Sequence, residues 1–253
     1  MADIFKSLIR ANDRVISIVG GGGKTSLMFQ LAHAFQQKGV KVISTTTTRI
    51  LRPTPQQTSG VVLYDQDNFN DQLQKCLNRH GHATVAQRLL PTGDKLEGIS
   101  CSQVEELLDH SPAQRIVIEA DGARQLSFKA PGDNEPVVPK ITDVFISVVG
   151  LDIIGKALTD DNVFRAELVS ERTGLNMGDE ITPRAIARLA LHPEGLLKGC
   201  PENARSYILL NKTDIPGGRE EALSVITAAK YCEGKKPDCW IGASIRKDLC
   251  ESY

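Results

Sequence analysis

The sequence predicts a three-layer α/β fold of the P-loop nucleotide-binding type, with a mostly parallel sheet and a helical insertion. Three observations carry the prediction. A short apolar run at 14–19 is followed by four glycines, a lysine and a threonine, and then by a helical pattern. Apolar, β-branched runs recur at 40–44, 115–119, 144–149 and 206–210 with helical stretches between them, as βαβ units require. The run at 115–119 ends in acidic residues, as a magnesium-directing strand does. Composition permits such a fold, because 253 residues with 41% hydrophobic and 24% charged lie in the globular range and fit one domain over 1–253 with an insertion near 152–199.

Taken in order, residues 14–19 read as a buried strand, and the following helix sets Leu27, Leu31 and Phe35 on one face until Gly39 stops it. Residues 40–44 close the first βαβ unit, which makes the pairing parallel. Residues 51–60, with Pro53, Pro55 and Ser59, read as a surface loop. A strand at 61–64, a helix at 68–79 and a strand at 83–90 come next. Ser102 reads as the cap of a helix running through 104–108. Pro131, Gly132, Pro136 and Pro139 exclude regular structure from 130–139 and leave an ordered loop near the strand ends. The insertion at 152–199 has its clearest helical pieces at 167–172 and 183–190. A strand at 206–210, a helix at 219–231 and a final strand at 239–242 complete the chain.

The chemistry concentrates in a few strings. Gly20-Gly21-Gly22-Gly23-Lys24-Thr25-Ser26 lies between a strand and a helix, where glycine N–H groups and the helix dipole bind phosphate, Lys24 bridges terminal phosphates and the Thr25 hydroxyl meets Mg. The common loop has a further glycine five positions before the one preceding Lys, and Ile18 stands there. The loop is therefore a shortened one, closer to those of Mur-like amide ligases, and a ligase or kinase reading stays open. Glu119 and Asp121 alternate onto one face of their strand: Asp121 is read as the Mg ligand and Glu119 as the group that orients or deprotonates a nucleophile. Asn211-Lys212-Thr213-Asp214 follows a buried strand in the manner of a guanine reader, with Ala243 after the last strand supplying a backbone contact to the base; adenine stays open beside guanine. Residues 45–48 end a strand at the carboxyl edge, where Thr46, Thr47 or Thr48, with Thr47 as the Mg candidate, would meet the γ-phosphate or Mg and Arg49 would stabilise developing charge; a plain β-branched strand end with Arg49 in solvent stays open beside it. Lys129 has two readings, one in substrate binding and one in solvent.

Other classes are excluded. A formal net charge of −1 with interspersed signs lacks the basic footprint of nucleic-acid binding. Asp3, Lys6, Arg10, Asp13 and Arg14 interrupt any signal-peptide core, and no stretch is apolar enough for a bilayer, so a cytoplasmic location without membrane contact is expected. Six cysteines without a C-x-x-C pair are expected to be reduced. Cys76, His80 and His82 have metal-like spacing, but such trios on an amphipathic helix usually pack or face water.

The strings together resemble one family, the accessory proteins of selenium-dependent molybdenum hydroxylases, also called selenium cofactor biosynthesis or YqeC proteins. The resemblance is carried by residues 19–26, 45–49, Glu119-Ala120-Asp121-Gly122-Ala123, Lys129-Ala130-Pro131, Glu135-Pro136-Val137-Val138-Pro139, Gly150-Leu151-Asp152, 195–199 and 209–214. It implies a role in maturing a selenium-containing molybdenum hydroxylase as client, to which the Mg-dependent binding of GTP or ATP read from the strings would be coupled. It also implies a histidine before the arginine of the insertion, where this sequence has Phe164-Arg165. Two further outcomes remain beside hydrolysis: group transfer to a small acceptor, and a non-hydrolysing module that uses nucleotide to order a client-binding surface.

Overall fold

The computed structural model describes residues 9–247 and 249–253, so Asp3 and Lys6, which carry part of the signal-peptide reading, lie outside the described residues. Fourteen strands are described: β1 Val15–Gly20, β2 Val42–Thr46, β3 Arg49–Leu51, β4 Val61–Leu63, β5 His82–Ala86, β6 Arg88–Leu89, β7 Lys95–Glu97, β8 Arg115–Glu119, β9 Phe128–Lys129, β10 Val144–Gly150, β11 Val163–Phe164, β12 Arg205–Asn211, β13 Cys239–Ser244 and β14 Leu249–Ser252. The α-helices are α1 Lys24–Gln37, α2 Phe69–His80, α3 Cys101–His110, α4 Ala166–Thr173, α5 Pro183–Leu191 and α6 Gly218–Ala229.

Nine strands form one sheet in the order β14-β13-β12-β10-β1-β8-β2-β5-β4, parallel throughout except for β14. The chain works outward and back on one side of β1, then crosses to β10 on the other. This reversal leaves a crevice at the carboxyl end of β1, where ligands of open α/β sheets bind. Both faces are covered, which explains near-continuous apolar strands in place of clean alternation. Ile16, Ile18, Val117 and Ile146 pack under Leu27, Met28 and Leu31 of α1. Val15, Val19, Ile116, Ile118 and Phe145 point the other way, into the core that also holds Leu73 and Leu77 of α2, Val104 of α3, Ile186 of α5 and Val225 of α6. The fold is the three-layer α/β arrangement with a mostly parallel sheet that the sequence predicts.

Between β10 and β12 the chain makes the expected insertion with α4 and α5, and β11 within it pairs in parallel with β9. That pairing brings Phe164 beside Lys129 and fastens the insertion to the segment just after β8.

Several local expectations are corrected. The helix cap is Ser100: its Oγ accepts from Gln103 N at 3.2 Å while Gln103 Oε1 accepts from Ser100 N at 2.8 Å. Ser102 also has an acceptor residue three positions on, so the pattern alone did not separate the two serines. The stretch 83–90 splits into β5 and β6, because β6 leaves the main sheet for a three-stranded sheet with β3 and β7. β13 is not the last strand, since β14 folds back on it. His82 is a core residue: its Nε2 lies 2.9 Å from Ser44 Oγ, and burial, then His33, lower its pKa to about 4. Among the described residues no group of three or more His, Cys, Asp or Glu side chains could hold a metal. Among them, too, no helix is long and apolar enough to cross a membrane.

Candidate functional site

β1 ends at Gly20 and α1 begins at Lys24, so residues 21–23 make the whole turn. Gly20, Gly22 and Gly23 have φ of 93°, 77° and 137°, a region closed to most side chains. A Cβ on Gly20 would lie 2.2 Å from Val148 O, on Gly21 2.7 Å from Leu126 O, on Gly22 2.5 Å from Gly150 N and on Gly23 2.4 Å from Asn211 Nδ2. The glycines are therefore required by the protein's own close packing. Gly20 N donates to Asp121 Oδ2 at 2.9 Å, Gly21 N to Val148 O at 2.8 Å and Gly22 N to Leu126 O at 3.0 Å. The N–H groups in position to meet an anion are consequently those of Gly23 and the first turn of α1, from Lys24 through the exposed Ser26, which a helix leaves without internal partners.

Lys24 is buried although it is charged. Its Nζ donates to Gly20 O at 2.7 Å and lies 3.2 Å from Asp121 Oδ1 and 3.6 Å from Glu119 Oε1. Burial lowers its pKa, but Asp121 and then Glu119 outweigh that and hold it above the ordinary lysine value. Thr25 Oγ1 donates to Glu119 Oε2 at 2.6 Å. Burial raises the Glu119 pKa against the pull of Lys24 and Thr25. Four of the residues singled out from the sequence thus meet where β1, β8 and α1 converge.

Three participants were missed or left undecided. Lys129 is 1% exposed, which rules out the solvent reading; its Nζ donates to Gly122 O at 2.6 Å and lies 3.0 Å from Asp121 Oδ2 and 2.6 Å from Glu135 Oε2. Arg165 grips the same Glu135 with two nitrogens, at 2.6 and 3.0 Å. Burial raises the Glu135 pKa, yet hydrogen bonds from Arg165 and Lys129 bring it down to about 2. A relay of alternating sign results, buried at Lys24, Asp121 and Lys129 and partly exposed at Glu135 and Arg165. Phe164 backs it, with Arg165, Arg124 and Lys129 cations 4.5, 4.9 and 5.5 Å from its ring centroid. The one available signal was a lysine inside the apolar, proline-bounded string Phe128-Lys129-Ala130-Pro131, a poor place for a solvated charge.

The remaining candidates are distributed around this centre. Asn211 Nδ2 donates to Gly22 O at 2.6 Å and its Oδ1 accepts from Ile245 N at 3.0 Å, so it ties the glycine loop to the segment after β13. Lys212, at φ 73°, turns away to Asp152 Oδ2 at 2.7 Å and Ser127 Oγ at 2.8 Å. Asp214 lies 3.5 Å from Lys247, and a hydrogen bond from Ser244 lowers its pKa. Ala243 O accepts from Thr213 N at 3.0 Å. The Thr47 hydroxyl donates to Val137 O at 2.6 Å, and Arg49 begins the strand that pairs with β7, exposed.

The chain was compared with known proteins. A family model described as YqeC protein matches residues 16–167, from β1 to the start of α4. It takes in the whole relay, while Asn211 to Asp214 lie outside the matched region. The chain is also similar to the uncharacterized protein YqeC of Escherichia coli strain K12, 31% identical over 205 residues that cover 78% of this chain and 75% of the relative. With a family model across more than half of the chain and a relative at this identity and coverage, the chain belongs to the YqeC protein family.

Proposed function

We propose that the chain binds a nucleoside triphosphate with Mg²⁺ at the amino end of α1, GTP in preference to ATP, and hydrolyses it as an accessory factor in maturing a selenium-dependent molybdenum hydroxylase. The observation that carries the nucleotide reading is the pairing of Lys24 with Asp121 and Glu119, 3.2 and 3.6 Å away at the end of the neighbouring strand. The maturation role is supported by the family resemblance.

The residues fit a magnesium ion. The Thr25 hydroxyl and the Glu119 carboxylate are already in contact, and the buried Asp121 Oδ1 has the Lys24 ammonium 3.2 Å away but no well-aligned hydrogen bond. Few protein oxygens suit an ion that takes most of its ligands from phosphate and water. Bound there, Mg²⁺ would supply charge neutralisation at the phosphates. Thr47 donates its hydroxyl hydrogen to Val137 O and keeps its oxygen lone pairs for that set. Lys24 would exchange part of its pairing with the two acids for the terminal phosphates. Glu119, held by the Thr25 hydroxyl beside the loop, is the acid placed to take a proton from an attacking water. A change at Lys24 or Asp121 alters what Lys129 and Glu135 must balance, and Glu135 lies in the loop at 130–139. Differential nucleotide binding can therefore bias that loop and, through Arg165, the insertion against which a client would rest.

The test is binding and turnover of GTP and ATP with Mg²⁺ by the wild type, Lys24→Ala and Asp214→Asn. Lys24→Ala is expected to abolish turnover and Asp214→Asn to weaken GTP selectively. Undiminished nucleotide affinity in Lys24→Ala would sink the nucleotide site, and equal use of both bases by wild type and Asp214→Asn would sink the guanine preference. A second reading, group transfer to a small acceptor, is favoured by a cleft beside Gly122.

A further inference from the structure

Between the ends of β2 and β8 lies an open cleft of about 340 Å³, with Thr47, Arg49, Glu97, Gly98, Gly122 and Glu135 in its lining. That volume admits a small molecule. Its wall is fixed by the backbone. Gly98 N donates to Thr48 O at 2.6 Å and Ile99 N to Thr46 O at 2.9 Å, and a Cβ on Gly98 would lie 2.4 Å from Thr46 O. The exit of β7 is thus pressed against 46–48 with no room for a side chain. Thr47 N donates to Glu119 O at 3.2 Å, which fastens the same residues to the end of β8. The floor is bare: a Cβ on Gly122 would meet nothing within 4 Å. Because Gly122 follows Asp121 and Glu135 is in the lining, the cleft opens alongside the relay.

Charge sets the class of ligand. Both acids in the lining are already matched by cations: Glu97 by Arg88 at 2.5 Å, Glu135 by Lys129 and Arg165, each at 2.6 Å. Arg49 is exposed and has no ion pair among the described residues. The cleft therefore presents one unmatched guanidinium, a group whose planar donors suit carboxylate and phosphate.

We propose that this cleft binds a small oxyanion, a carboxylate or a phosphate, held by Arg49 over the bare backbone at Gly122. Its service as a second substrate rests on the nucleotide reading; its binding of an anion rests on the lining alone.

The experiment titrates the full chain with inorganic phosphate and, separately, with succinate, each without nucleotide and with saturating Mg–GDP. Saturable binding of either probe that survives GDP is expected, and the better probe tells phosphate from carboxylate. Arg49→Gln is expected to weaken that binding about tenfold or more, the scale of one lost charged hydrogen bond. Gly122→Leu, whose side chain grows into open space, is expected to block the cleft while GDP affinity holds. The proposal is overturned if neither probe saturates below about 10 mM, a weak limit for any specific site. It is also overturned if GDP displaces the probe completely, which would place the anion at α1, or if Arg49→Gln and Gly122→Leu bind it as the wild type does. Failure of the nucleotide reading would look different: GDP would not bind, and the anion would still depend on Arg49.

Discussion

The two ends of the proposed nucleotide site are built in opposite ways. At the phosphate end, Lys24, Asp121 and Lys129 are almost fully buried and paired with one another. At the base end, Lys212 and Asp214 are partly exposed and each is held by a different neighbour, Asp152 and Lys247. Asn211 joins the two, by reaching Gly22 O. In the first region a side chain cannot be changed without leaving a buried charge unmatched, so stability and function are bound together. In the second, charges can be changed nearly one at a time, and binding should respond without the fold.

The largest effect should come from the buried end. Lys129→Ala strips Asp121 and Glu135 of a shared cation, and leaving a buried charge uncompensated typically costs about 3–5 kcal/mol. Urea denaturation should show a loss of that order, whereas Lys129→Met with Glu135→Gln should recover part of it by removing the opposing charge as well. A loss under about 1 kcal/mol would mean that the relay is far better solvated than its burial indicates.

That asymmetry also explains what could be read from sequence. The glycine string, Lys24, Thr25 and the acid-ended strand are contiguous motifs, and the strands around them are near-continuous apolar runs, so the architecture and half of the site were legible. The relay's outer members were not. Lys129, Glu135 and Arg165 meet only because β11 returns from the insertion to pair with β9, and no periodicity announces a two-residue strand. The glycines were legible as a motif but not in their reason: four close approaches by the chain itself determine them, and three of their N–H groups serve the protein. Cap and edge errors, Ser102 for Ser100 and the unforeseen β14, arose where two patterns fitted equally or where a strand of mixed polarity lacked a signal.

Smaller effects should separate Asn211 from Asp214. Asn211→Ala removes a donor to Gly22 O and an acceptor from Ile245 N, worth about 1–3 kcal/mol of stability if the orphaned groups stay buried. It should weaken GTP and ATP alike, because it loosens the loop and not the base pocket. Asp214→Asn should leave the fold intact and weaken GTP alone by about tenfold to a hundredfold, the range of a hydrogen bond to a charged group. Isothermal titration with both nucleotides distinguishes the two patterns, and a matched loss of GTP and ATP in Asp214→Asn would remove the contrast between the regions.

Acid should expose the buried end next. The folded Glu135 pKa of about 2 lies below its ordinary 4.5. Its pairing therefore stabilises the fold fully above pH 4.5, and that contribution fades as pH falls through the folded value near 2. The stability difference between wild type and Glu135→Gln should be constant from neutral pH to about 5 and shrink below 4.5. His82 works in the same direction but higher on the scale: its folded pKa of about 4 lies below 6.5, so protonation favours the unfolded chain as pH drops from 6.5 towards 4. Comparing Glu135→Gln with the wild type at each pH cancels the histidine contribution, and a difference that persists unchanged at pH 2 would deny the clamp.

The smallest expected effect belongs to the exposed corner. Lys247 is 59% exposed where it approaches Asp214 at 3.5 Å, and such pairs are screened by salt and carry little stability. Lys247→Ala should move the melting temperature by less than about 2 °C in dilute buffer and by nothing measurable in 1 M salt, given the usual scaling for a chain of this size. The Lys129→Ala deficit should meanwhile persist for the most part in the same salt, because Lys129 and Asp121 are almost fully buried and Glu135 alone of the three is partly exposed. If salt erased both deficits equally, the relay would be a surface network like the corner, and the division of the site into a fixed phosphate end and an adjustable base end would fail.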